Sequence, residues 1–398
     1  LDASHRAHGK NLDIEVLRAV AIIGTLWAHL DILFYWGSPA LKAISTVFVF
    51  WGGVDLFFAI SGYVITSSLL RAMEDAASLR DLAIPFWIRR FWRIVPSAWA
   101  WLAVTLIASM LFQHTGYLGT PRGNLTDTLW SVAQLANLHF SRVYAHLTDN
   151  YGINQVYWSL SLEEQCYLVM PFILFLASRS WSVFVLFVIV AAQIFLSRPF
   201  LGTLWFFRTD ALALGALIAM ARGTSAYHRI EPTILRRRLI SYGALAGTVL
   251  LIGAIGGNSG SFSLATSAMG VVAAAAVWIA SYDRDYTMPR GPTKRLLTYL
   301  GARSYAIYLI HIPVYRGLRE ATASIPVDVI SQGFYPIAYF VIAIVATLAI
   351  SEINYRYIET PLRRFGARIA DARSQGRQSS PEVSSSLTTS GRFIRNDA

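Results

Sequence analysis

Residues 18–29 read RAVAIIGTLWAH, an arginine and a histidine separated by ten residues without formal charge. Eleven positions make close to three helical turns, so both side chains fall on one face, about 16 Å apart along the axis. The surrounding run, about 14–34, is long and apolar enough to cross a bilayer as a helix. An ionisable side chain inside a membrane span is costly to keep there, and it points to function. The pair Arg18 and His29 suits a long anionic ligand lying along the helix, with its charged end at the arginine and its reactive end at the imidazole.

The rest of the chain agrees with a membrane setting. Of 398 residues, 55% are hydrophobic and only 14% charged, whereas a soluble domain carries about 25% charged residues. Mean hydropathy is +0.46. The apolar runs are continuous and lack the period-two alternation of a transmembrane β-barrel. The expected fold is all-α, a polytopic helical bundle of about ten spans near 14–34, 45–70, 94–112, 160–177, 182–197, 203–220, 239–256, 262–281, 297–315 and 335–355.

The net charge of +11 reads as the positive-inside bias, so nucleic acid is not expected as a partner. Threading the spans with the N-terminus in the cytoplasm puts 26 Lys and Arg inside and 6 outside. That asymmetry places both termini in the cytoplasm. The chain starts at Leu1, and its first apolar run reads as a true span and not as a cleaved signal peptide. The lone Cys166 excludes an internal disulfide, and no Cys/His spacing suggests a metal site. A membrane domain over 1–365 is expected, followed by a disordered cytoplasmic tail over 366–398 that is rich in Ser, Arg and Gln.

Several polar residues fall within or beside the spans. With this threading His29, Asp55, Glu163, Glu164, Arg208, Asp210 and His311 come to similar depth toward the outer leaflet. Five helices could thus converge on one polar chamber, provided that the charges pair or stay wet. Arg208 and Asp210 are two apart and cannot pair with each other on one helical face. Each of these residues also has a purely structural reading, as an interhelical bond, an ion pair or a kinked helix end. On the cytoplasmic side FWIRRFWRIVP (86–96) carries Arg89, Arg90 and Arg93 among aromatic residues. Arg89 and Arg93 share a face that can grip phosphate oxygens, although basic and aromatic residues also anchor helices at the interface. The outer loop from about 113 to 156 holds Trp130, Asn137, His139, Tyr144, His146 and Tyr151, side chains that can stack on sugar faces.

These stretches resemble the integral-membrane acyltransferase-3 family, which includes O-antigen, exopolysaccharide, Nod-factor and macrolide O-acyltransferases. The matching blocks are LDIEVLRAVAIIGTLWAH, GGVDLFFAISGYVI, FWIRRFWRIVP, VYWSLSLEEQCYLVMP, RTDALALGALIA, YLGARSYAIYLIHIPV and YRYIETPLRR, in the family's order over about 12–365. Arg18 and His29 match its R-x10-H motif, and Glu163 and Glu164 its Glu-Glu block. Cys166 and Ala59 depart from it in uncharged positions. Some relatives carry an appended extracytoplasmic hydrolase-like domain, and none is expected after the tail of this sequence.

The resemblance implies a multi-pass inner-membrane enzyme. It would move an acyl group, usually acetyl, from cytoplasmic acyl-CoA to a hydroxyl of a glycan or glycolipid. Acyl-CoA is a co-substrate, and no permanently bound cofactor or metal is expected. Arg18 with Arg89, Arg90 or Arg93 would hold the phosphates. His29 would be the general base, oriented by Asp55 or Glu163. Tyr308, Ser304 or Arg208 could stabilise the oxyanion. Glu164, Asp210 and His311 complete the expected site. The competing reading is a proton-coupled permease relaying protons through the same intramembrane histidines and carboxylates, and the lack of an evident internal repeat counts against it.

Overall fold

The computed structural model describes residues 10–33, 39–112, 115–330 and 333–378, and among these the regular structure is helical throughout. The principal helices are α1 (Leu12–Ala28), α2 (Gly53–Met73), α3 (Leu79–Leu111), α4 (Tyr157–Leu176), α5 (Arg179–Ile194), α6 (Asp210–Ala221), α7 (Arg238–Gly257), α8 (Ala265–Ser281), α9 (Pro292–Ala302), α10 (Ser304–Ala321), α11 (Tyr335–Asn354) and α12 (Thr360–Gln378). Seven helical segments among the described residues are long and apolar enough to cross a membrane, and α5 and α8 are shorter apolar helices. The protein is therefore a polytopic helical membrane bundle.

The expected windows all fall on helices, with shifted limits. The window 94–112 is the second half of the 33-residue α3. The run 297–315 is divided at Arg303 between α9 and α10. The window 203–220 opens with a 3-10 turn, Thr203–Phe207, before α6. The window 45–70 is divided, because residues 45–47 end a short helix, Pro39–Val47, residues 48–52 are not helical, and α2 starts at Gly53.

Local chemistry explains the ends. Asn11 caps α1 by accepting from the Ile14 N–H at 2.9 Å. Asp13, buried in the first turn, accepts from Lys294 at 2.6 Å, Thr287 at 2.7 Å and the Tyr286 N–H at 3.0 Å. This knot ties α1 to the segment entering α9. At its other end α1 stops at His29, whose N–H bonds back to Leu26 at 3.3 Å.

Helix α2 runs closely along α6, where small residues let backbones meet. A Cβ on Gly62 would stand 1.9 Å from the Leu212 carbonyl oxygen, and one on Gly215 2.0 Å from that of Ala59. A third such contact joins α9 to α1, because a Cβ on Gly301 would stand 1.9 Å from the Glu15 carbonyl.

The boundary expected at 365 falls inside a helix. Helix α12 continues to Gln378 along α3, with Phe365 edge-on to Trp92 at 4.8 Å and Ala370 buried. The polar composition there is that of an amphipathic helix with one face docked. Residues 379–398 lie outside the described residues.

Candidate active site

Helix α1 carries Arg18 and His29 into two different cavities. The Arg18 guanidinium donates to Glu15 at 2.8 Å and is largely buried. It lines an inner cavity of about 90 Å³ with Arg90, Arg93, Glu163, Glu164 and Glu359. Ser61 and Tyr167 both donate to the Glu163 carboxylate. Arg90 lies over the rings of Phe86 and Tyr167, 5.4 Å from each centroid. One oxygen of Glu164 is buried without a hydrogen-bond partner. Ser304 and Tyr305 also border this space.

His29 lines the outer cavity, about 180 Å³, with Trp51, Tyr144, Trp158, Trp205 and Phe206 among its walls. Val54 and Tyr308 line both cavities. Tyr308 is held there by its hydroxyl, which donates to the Val156 carbonyl at 3.0 Å and meets the Ser159 hydroxyl at 2.7 Å. The two spaces therefore meet at one tyrosine ring and one valine.

The single polar chamber expected from the sequence is not what the chain builds. Asp55 is taken up by Arg208, at 2.8 and 3.3 Å, and the guanidinium is fully buried over Trp205, 3.8 Å from the ring centroid. Asp210 pairs with Arg198 at 2.5 and 3.1 Å. These are two separate buried ion pairs behind the aromatic wall, and in a low-dielectric interior each charge must have such a partner. Glu163 and Glu164 do not lie at the outer start of their helix. Helix α4 begins at Tyr157, so they stand nearly two turns inward, among the arginines. The side chain that meets His29 is His311, and neither Asp55 nor Glu163 is its partner. His311 Nε2 lies 3.2 Å from His29 Nδ1, His29 Nδ1 lies 2.9 Å from the Thr25 carbonyl, and His311 Nδ1 lies 2.7 Å from the Tyr308 carbonyl.

Arg89, Arg90 and Arg93 stay together. They border a further cavity of about 790 Å³ shared with Arg80, Arg363 and Arg373. Arg90 and Arg93 face this space and the inner cavity alike, so a cationic route leads from one to the other. Arg89 also pairs with Asp371 at 2.6 Å.

The outer loop contributes less to the site than its composition suggests. Its two helices, Pro121–Val132 and Ala136–Tyr144, use most of their polar groups within the loop and against the start of α4. His139 stacks on Trp130 and bonds Asp127 at 3.1 Å, while Asp127 also accepts the N–H groups of Gly152 and Asn154. Among the loop residues, Tyr144 and Gln155 reach the His29 cavity, joined to each other at 2.8 Å. Sequence reasoning did not single out Glu359, Tyr305, Trp158 or Trp205. Their signal lay inside the blocks VYWSLSLEE, YRYIETP, SYAIYLIH and the residues before RTDALALG.

A family model described as "Acyltransferase domain" matches residues 11–353. The peptidoglycan O-acetyltransferase OatA of Listeria monocytogenes is 30% identical over 377 residues, 89% of this chain and 56% of the relative. A putative O-acetyltransferase, SAR0937, and the O-acetyltransferase OatA, both of Staphylococcus aureus, are each 26% identical, over 91% and 89% of this chain and 58% and 57% of their own lengths. The chain thus spans little more than half the length of these relatives. No solved structure matches. The chain belongs to the acyltransferase family whose model it matches.

Proposed function

We propose that this family member is a membrane O-acyltransferase. It moves an acyl group, acetyl in the first instance, from cytoplasmic acyl-CoA to a hydroxyl of a cell-surface or lipid-linked glycan, with His29 as general base. The observation that carries the reading is the meeting of two unlike cavities at Tyr308 and Val54. One is lined by Arg18, Arg90 and Arg93, and the other by His29 and a wall of aromatic rings.

Each cavity suits one substrate. Guanidinium groups grip phosphate oxygens, and the arginine side is the cytoplasmic one by the charge bias. Aromatic faces suit the apolar faces of a sugar. Several relatives are named O-acetyltransferases and one of them a peptidoglycan O-acetyltransferase, which makes peptidoglycan fragments the first acceptor to try.

The acyl end of the donor would pass Tyr308 to reach His29. The imidazole would take the proton of the acceptor hydroxyl as its oxygen attacks the thioester carbonyl. Collapse of the tetrahedral intermediate would break the C–S bond, and the thiolate would leave with the proton returned by His29. Tyr308 and Ser159 place two hydroxyls at the junction, and either would stabilise the oxyanion only by turning its single hydrogen away from the Val156 carbonyl or from the other hydroxyl. Arg208, committed to Asp55, is not free for that task.

The test is release of free CoA from acetyl-CoA by the full chain in nanodiscs, with peptidoglycan fragments and other surface glycans as acceptors. Glycan-dependent release that falls by about 10²–10⁴-fold in a folded His29→Ala variant supports the reading. Equal release in both proteins would remove His29 from the chemistry. No release with any acceptor or acyl donor would return the weight to the permease.

A further inference from the structure

His311 is fully buried and stands against His29, with ring centroids 5.0 Å apart. Which nitrogen of each ring carries hydrogen is set by the neighbours. A carbonyl oxygen can only accept. The Tyr308 carbonyl, 2.7 Å from His311 Nδ1, therefore requires a hydrogen on that nitrogen. The Thr25 carbonyl, 2.9 Å from His29 Nδ1, favours one there too. In neutral His311 the lone pair is then on Nε2, and it faces the Nδ1–H of His29 at 3.2 Å. A doubly protonated His311 would set two N–H groups against each other at that contact. One pattern accommodates all three contacts, with both rings neutral, both protonated on Nδ1, and the single Nδ1–H of His29 shared between the Thr25 carbonyl and His311 Nε2. It leaves Nε2 of His29 as the basic nitrogen.

We propose that His311 is a positioning residue that locks His29 in the Nδ1–H tautomer and accepts a stronger hydrogen bond from it when His29 takes up a proton. The inference rests on His29 being the general base. A carboxylate commonly fills this place, but here the nearby ones are otherwise placed. Asp55 is held by Arg208, and Glu163 belongs to the inner cavity. Asp31, on the short helix Leu30–Leu33 that follows His29, is exposed to solvent. The phenol rings of Tyr308 and Tyr315 flank His311 at 5.7 and 5.8 Å. A neutral imidazole can orient His29 without placing an uncompensated charge in the membrane interior. It also ties the base to the junction of the cavities, because the carbonyl that fixes His311 belongs to Tyr308, which lines both.

Two measurements test this on the full chain in nanodiscs. The first is the 15N spectrum of histidine-labelled protein, with His29 assigned by difference from His29→Ala. Wild type should show His29 with hydrogen on Nδ1 and a bare Nε2. His311→Ala leaves the Thr25 carbonyl as the remaining acceptor for the Nδ1–H and should shift part of the population to the Nε2–H tautomer, and His311→Gln, whose amide oxygen can replace the lost lone pair, should restore the wild-type pattern. A hydrogen on Nε2 in wild type, or no change in His311→Ala, would overturn the lock. The second is turnover with acetyl-CoA and peptidoglycan fragments. His311→Ala should lower kcat by about 10²-fold at unchanged KM for acetyl-CoA, with most of the loss recovered in His311→Gln. Equal losses in two folded variants would assign His311 to packing alone. Full activity in His29→Ala would sink the general-base reading, whereas the tautomer spectrum would still report on the pair by itself.

Discussion

Arg18 and His29 were legible from their spacing, because a helix converts eleven residues into one face and a known rise. What the spacing could not convey is that Tyr308 borders both of the spaces they enter. That residue supports a prediction. Tyr308→Phe keeps the ring but loses the hydroxyl contacts to Val156 and Ser159, so turnover should fall while CoA release stays dependent on the glycan. Tyr308→Ala removes the partition, and water can then reach the thioester from the outer cavity. Release of CoA from acetyl-CoA without any acceptor should rise above the wild-type level in that variant. If release stays strictly acceptor-dependent, Tyr308 is not the partition. The partners of Asp55 and Asp210 were equally invisible in sequence. An intramembrane carboxylate must find a cation, but which one depends on how the chain brings in Arg208, 153 residues from Asp55, and Arg198, 12 residues from Asp210.

Among the helices, hydropathy located every span approximately and its ends poorly. A hydropathy window cannot register that 33-residue α3 continues past the bilayer limits, or that Arg303 interrupts the run 297–315. Nor does it reveal contact faces. The close approach of α2 and α6 rests on Gly62 and Gly215, each against a carbonyl of the facing helix. Adding a side chain at such a contact forces two backbones apart. Gly62→Val should therefore destabilise the bundle by about 1–3 kcal/mol or more, read as a lower thermal midpoint in detergent. A midpoint equal to wild type would mean that α2 and α6 tolerate separation. Gly243, in α7, where a Cβ would meet nothing within 4 Å, supplies the control through Gly243→Ala.

Across the molecule, the charge distribution and the two cavities share one polarity. The arginine-rich cavities lie at one end and the aromatic chamber of His29 at the other. Helix α12 closes the arginine end by packing on α3, with Gly366 so near Trp92 that a Cβ there would lie 2.4 Å from it. Ending the chain after Gln378 should leave stability and CoA release unchanged. Ending it after Phe365 removes Ala370 and its neighbours from α3, and a drop in thermal midpoint is expected. The exposed pair Arg89–Asp371 adds little to that effect. Equal midpoints for the two truncations would show that α12 is dispensable to the fold.

The sequence alone determined the class of this protein. Continuous apolar runs, scarce charge and a one-sided excess of Lys and Arg follow from the solvent the chain must satisfy, and they are local or additive properties. Ordered motif blocks likewise identified the family and the Arg18–His29 axis. Only the tertiary structure decided which polar groups meet. It moved Glu163 and Glu164 to the arginines, gave Asp55 to Arg208, and set His311 beside His29. The reason is physical. A buried polar group needs a partner at about 3 Å, and that distance is set by how helices far apart in sequence pack, which no local pattern records.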